Sequence, residues 1–293
     1  MGDRMFRFGV VASQARDADE WLALARRAED LGYATFLVPD NLALPAPVPA
    51  ATAAATATAD LHVGTFVTNC AFRPPAQIAW EAASADFLCG GGFELGLGAG
   101  RPDAVREAAL LGLPFEPFDE RLRRVQTTVD ALEDLYAHAT AEAGEGAWPV
   151  RIYRPADRAR RPRVLIAGSG KKMLGLAARR ADIVALGLPP TAGEDDFRTK
   201  LATLNILAGD RFDDIELNVN LAAVGEPPPW LARLGLDPAK ASDNAAMAVL
   251  SGSPQEIADL LRRRRDDLGI SYVTVNAAYA DALAPVVERL TGT

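Results

Sequence analysis

Eight short apolar runs, each followed by an amphipathic or alanine-rich helical stretch, constrain this chain more than any other feature. The strand-like runs fall at 6–11, 34–38, 61–68, 93–97, 163–167, 182–186, 215–224 and 271–276. Helical patterning occupies 19–31, 49–59, 74–88, 118–138, 171–180, 194–208, 254–268 and 281–290. Strands that alternate with helices are joined by crossovers, so they pair in parallel with helices covering the sheet. Eight such units predict a closed (β/α)8 TIM barrel with insertions, in one domain spanning 1–293. An open doubly wound sheet is the alternative. The strand count weighs against it, as does the missing G-x-G-x-x-G after the first strand, where the chain reads VVASQARD.

Punctuation supports these boundaries. Gly32 follows the first helix at the position that favours a left-handed residue. Ser253-Pro254-Gln255-Glu256 reads as a helix start, with Ser253 as cap, Pro254 in the first position and Glu256 closing a capping box. Two stretches rich in Pro and Gly, 139–161 and 226–251, are predicted to be insertion loops.

The balance of charge excludes some functions. A net charge of −8 disfavours a nucleic-acid or anionic-membrane binder, since phosphate binding needs a basic surface. No apolar run approaches the ~20 residues of a membrane span, and the N-terminus lacks a signal-peptide pattern. A cytoplasmic location is expected. Two cysteines, Cys70 and Cys89, form neither a disulfide framework nor a zinc pattern, and with only two histidines, His62 and His138, the sequence argues against a hydrolase triad or a His-based metal site. Chemistry is therefore expected from a bound cofactor, the protein supplying orientation and electrostatics.

In a barrel the C-terminal strand ends carry function. Asp40 and Asn41 follow the second strand, as hydrogen-bonding site residues or an ordinary loop start. Phe66, Val67 and Thr68 end the third strand, either as barrel core or as part of a site. Gly96-Leu97-Gly98-Ala99-Gly100-Arg101 ends the fourth, where alternate glycines let backbone approach a ligand and Arg101 can grip a carboxylate or phosphate. Gly168-Ser169-Gly170-Lys171 ends the fifth. Backbone amides at a helix N-terminus make an anion site there, and lysines in that first turn suggest a compensating anion.

The block from 61 to 101, LHVGTFVTNCAFRPPAQIAWEAASADFLCGGGFELGLGAGR, together with the late G-S-P-x-E-I-A, resembles the luciferase-like monooxygenase superfamily. Its nearest branch looks like the oxidoreductases that use the deazaflavin coenzyme F420. The resemblance implies a non-prolyl cis bond at Phe66–Val67, whose backbone supports the deazaflavin ring. It places Asp40, Phe66, Val67, Thr68, Ala99, Gly100, Arg101, Gly168, Ser169, Gly170 and Lys171 around the cofactor. Asp40, Asn41 and Arg101 are the implied catalytic candidates. The family usually has His where Asn41 stands, so an imidazole acid is missing, and Arg101 replaces an acidic residue of the sugar-phosphate dehydrogenases. The implied activity is hydride transfer between F420 and a small or peptide-borne substrate, as C=C or C=N reduction. Tyr153, Tyr279 or solvent are the candidate proton sources. Alternatives are an FMN-dependent monooxygenase and a non-catalytic flavin-binding barrel. A homodimer is implied, with the alanine-rich helix 50–59 a candidate interface.

Overall fold

A computed structural model describes residues 4–137, 160–229, 231 and 246–293. Parallel strands β1 (Arg7–Val11), β2 (Thr35–Val38), β3 (His62–Thr65), β4 (Thr68–Asn69), β5 (Phe93–Gly98), β6 (Arg163–Ala167), β7 (Ile183–Ala185), β8 (Glu216–Leu221) and β11 (Ile270–Asn276) form one sheet. It closes on itself because β3 pairs with β5 while β1 pairs with both β2 and β11. Since β4 continues β3 beyond a break at 66–67, the ring has eight staves, as expected of a TIM barrel. Around it lie α1 (Ala18–Asp30), α2 (Pro47–Thr56), α3 (Pro75–Leu88), α4 (Val105–Leu110), α5 (Phe118–Ala137), α6 (Lys171–Arg180), α7 (Glu194–Ala208), α8 (Pro254–Leu268) and α9 (Ala280–Leu290).

The strands are buried on both faces, which is why they read as continuous apolar runs rather than alternating ones. Helix ends follow their local signals. Ser253 accepts from the Glu256 amide in the expected capping box, and Gly32 takes φ 79° after α1. Two differences arise. The third strand divides at 66–67, and the run at 215–224 leaves the barrel after Leu221. Its last residues, β9 (Ala223–Val224), pair instead with β10 (Val249–Leu250), so part of the expected loop 226–251 is a strand. The insertion expected at 139–161 lies almost wholly outside the described residues.

The N-terminal end of the barrel interior is plugged by charge. Arg7 donates to Glu94 at 2.6 Å and to Glu216 at 2.8 Å, and its guanidinium sits 3.5 Å from the centroid of the Tyr272 ring. Arg163 reaches Glu216 at 2.8 Å, and the Tyr272 hydroxyl lies 2.6 Å from Thr35 Oγ1. Burial works against a charge on Glu216, but the hydrogen bond and charge of Arg7, joined by Arg163, hold it below the usual carboxylate range. This end fixes the barrel; the opposite end is open to ligands.

Candidate functional site

Three strand tips are tied together at the C-terminal mouth. The Phe66–Val67 bond is cis, as the resemblance implied. Beyond it the chain lies so close to β5 that two positions of the strand have no room for a side chain. A Cβ on Gly96 would lie 2.1 Å from the Thr65 carbonyl oxygen, and one on Gly98 2.7 Å from Val67 Cγ2. At Gly96 and Gly98 the missing side chain makes room for the bulge. Thr68 is buried and donates to Thr65 Oγ1 at 3.0 Å, while Thr65 Oγ1 donates to the Gly96 carbonyl at 2.9 Å and accepts from its amide at 3.0 Å. The Thr68 hydroxyl is thus committed inside the protein.

Asp40 is also committed. Arg73 donates to its two carboxylate oxygens at 2.5 and 3.1 Å, and the Asn69 amide adds a third bond at 2.9 Å. Asn41 is half-buried and accepts from the Ala43 amide at 3.0 Å, an Asx turn that leaves its side-chain NH2 as a donor. Arg101 projects into solvent, 84% exposed, and pairs with Asp103 at 2.9 Å.

Behind these tips stand two arginines of α5, one turn apart. Arg121 donates to the carbonyls of Ala99 at 2.5 Å, Gly100 at 2.6 Å and Glu116 at 2.9 Å, its guanidinium 4.1 Å from the Phe115 ring centroid. Arg124 donates to the carbonyls of Cys70 at 2.8 Å and Arg73 at 2.9 Å. Among the described residues neither meets a carboxylate. Their bonds close a chain from α5 through the 69–73 and 99–100 segments to Arg73 and Asp40. Sequence reasoning missed all three arginines. Only the spacing of 121 and 124 on one helix face hinted at a shared task.

The Gly168–Lys171 segment keeps the form expected of it. α6 starts at Gly170 with no side-chain cap, and a Cβ there would touch nothing within 4 Å. The Ser169 hydroxyl donates to the Gly187 carbonyl at 2.8 Å, which joins this turn to the end of β7. Lys171 is exposed, whereas Lys172 pairs with Asp119 at 2.6 Å, so one of the two lysines is balanced without a ligand.

Beside this turn, over the ends of β6, β7, β8 and β11, opens a cleft of about 600 Å³. Phe66, Phe197, Pro228, Met247 and Tyr279 wall it; Asn218 and Asn220 of β8 supply polar groups. None of the described residues lining it carries a charge. Of the candidate proton sources, Tyr279 is half-buried in this cleft, and Tyr153 lies outside the described residues. His62 opens β3 at the far end of the barrel, and His138 lies outside the described residues. Cys70 is a buried free thiol that burial pushes up to about 12. No group of metal-ligating side chains occurs among the described residues, nor any helix long and apolar enough to cross a membrane.

Comparisons place this geometry among known proteins. The family model described as luciferase-like monooxygenase matches residues 5–224. A phthiodiolone/phenolphthiodiolone dimycocerosates ketoreductase of Mycobacterium kansasii is 24% identical, over 87% of this chain and 81% of its own. An F420-dependent glucose-6-phosphate dehydrogenase of Kribbella flavida is 28% identical, over 66% of this chain and 60% of its own. Among solved structures, the coenzyme F420-dependent tetrahydromethanopterin reductase of Methanopyrus kandleri superposes with a TM-score of 0.72 at 17% identity, over 98% of this chain and 99% of that one.

Proposed function

We infer the activity of this chain from one premise: it belongs to the luciferase-like monooxygenase family. We propose that it is an F420-dependent oxidoreductase acting on a small molecule. The observation that carries this reading is the adjacency of an uncapped helix N-terminus to an uncharged cleft at the C-terminal mouth, linked through Ser169 and Gly187.

The donor set suits the coenzyme. Amides at the start of α6, Ser169 and Lys171 would hold its phosphate, using the positive end of the helix dipole. The 66–67 bulge and Phe66 would back the ring, and the Asn41 NH2 would meet a ring edge. When bound, F420 supplies the hydride. The protein's own residues orient the reactants and keep water from the apolar cleft. Asp40 acts in this scheme as a positioning group, since its oxygens already hold Arg73 and the Asn69 amide. The F420-dependent dehydrogenase named for one relative supports F420 as the coenzyme. It does not fix which bond is reduced, and a carbonyl stands beside C=C and C=N, given the ketoreductase relative.

A substrate that drives oxidation of reduced F420 under nitrogen, with no oxygen uptake in air, is the expected result. Turnover with reduced FMN that consumes oxygen would move the chain to monooxygenation.

We also propose a homodimer built on α3. Its outer face carries Trp80, 60% exposed, and Leu88, 64% exposed, on a helix whose other side is core. α2, the alanine-rich helix, lies next to it in sequence and packs against it.

A further inference from the structure

The cleft at the barrel mouth says more about the substrate than about the cofactor. Its described lining contains no Asp, Glu, Lys, Arg or His. A phosphate, carboxylate or ammonium entering there would lose its water and find no counter-charge. A phosphorylated sugar, the substrate named for one relative, is poorly matched to such walls.

The polar side chains of the lining, Asn218, Asn220, Asn276 and Tyr279, are neutral. Asn218 and Asn220 are two apart on β8 and so share a face, opposite Tyr272 and Thr274 of β11 respectively. Asn218 is 1% exposed, and its Nδ2 donates to the Tyr272 carbonyl at 3.4 Å and to Thr274 Oγ1 at 3.3 Å. These bonds fix which end of the amide is the acceptor. Asn218 Oδ1 is buried and meets no donor among the described residues. An acceptor left this way carries a desolvation cost that a ligand donor reaching it would recover. Thr274 Oγ1 donates to Asn220 Oδ1 at 3.0 Å, leaving the Asn220 NH2 for a ligand acceptor.

We propose that the substrate is an uncharged, mainly apolar molecule bearing a hydroxyl or amide N–H, and that Asn218 Oδ1 accepts from that group. The proposal rests on reading the cleft as the substrate site of an oxidoreductase. Asn218 is then a specificity-determining residue, and the surrounding apolar walls reject charged analogues of the same shape.

Four naphthalene probes of one shape test this by calorimetry: 2-naphthalenemethanol, 2-methylnaphthalene, 2-naphthoate and 2-naphthylmethylammonium. Each is titrated into wild type, Asn218→Leu and Asn218→Asp, with F420 bound and without it, and F420 affinity is measured on the same samples. In wild type the alcohol binds roughly five- to tenfold tighter than the methyl compound, and both ions bind at least tenfold more weakly than the alcohol. Asn218→Leu abolishes the preference for the alcohol; Asn218→Asp, nearly the same shape, moves it to the ammonium probe. Equal binding of ions and alcohol overturns the proposal. So does an alcohol preference that survives in either variant, or a tenfold loss of F420 affinity in both, which would assign Oδ1 to the coenzyme. If wild type fails to bind F420, the F420-dependent reading fails, while the probe pattern on the protein alone still decides the role of Asn218.

Discussion

Arg121 holds the tip of β5 from behind, through carbonyls of the same segment that would border the cofactor. Its planar fork meets three carbonyls at once, a geometry a lysine cannot copy. Arg121→Met is expected to cost about 2 kcal/mol of stability, read from urea denaturation, because three charge-assisted bonds are lost. It should also weaken F420 binding several-fold by releasing the 99–100 segment, and Arg121→Lys should recover only part of either loss. Binding unchanged in Arg121→Met would show that the clamp serves stability alone. At this scale sequence reading reached the right tips but not the partners. Asp40 was legible as a polar residue at a strand end, yet its commitment to Arg73 is a contact between residues 33 apart. Arg101 was legible as a cation, but whether it faces the site depends on loop direction, and it faces solvent. Asn218 left no motif, since nothing in the strand ELNVNL marks which of its residues reach the cleft.

β5 and α6 show how elements earn their glycines for different reasons. On β5 the neighbouring bulge fills the space where side chains would stand, so the Gly substitutions there should rank by what the new Cβ meets. Gly96→Ala meets backbone at 2.1 Å and is expected to destabilise by about 3 kcal/mol or to prevent folding; Gly98→Ala meets the Val67 side chain at 2.7 Å, which can shift, and should cost less. Gly170→Ala meets nothing and keeps φ −73°, so stability should change by less than about 1 kcal/mol. Thermal melts of the three variants check the order, and a Gly170→Ala as damaging as Gly96→Ala would contradict it. The elements themselves were legible because strand burial and helix capping leave local patterns. The division of the third strand was legible only through family resemblance. The departure of β9 from the barrel was not legible at all, since an apolar run carries no mark of which sheet it joins.

For the whole molecule, the two ends of the barrel divide the labour. The closed end depends on ionised Glu216. Because its folded pKa is depressed, its contribution is present above the ordinary carboxylate range near pH 4–5 and is lost as pH falls through the folded value. Wild type should therefore lose more stability between pH 7 and pH 3 than Glu216→Gln, which at pH 7 is the weaker by about 3 kcal/mol. Equal acid sensitivity of the two would show that other carboxylates govern acid unfolding. The proposed dimer makes its own demand: Trp80→Glu should sediment as a monomer where wild type sediments as a dimer, and a monomeric wild type would overturn it. The closed end was invisible in sequence because its ion pairs join residues up to 209 apart, whereas the barrel was legible from the repeat alone. The open end carries the central claim, that this barrel holds F420. Titration of the protein with F420 and, separately, with FMN, followed by fluorescence quenching, tests it most directly. Micromolar binding of F420 with FMN at least tenfold weaker is the predicted result; preference for FMN, or binding of neither, would contradict it.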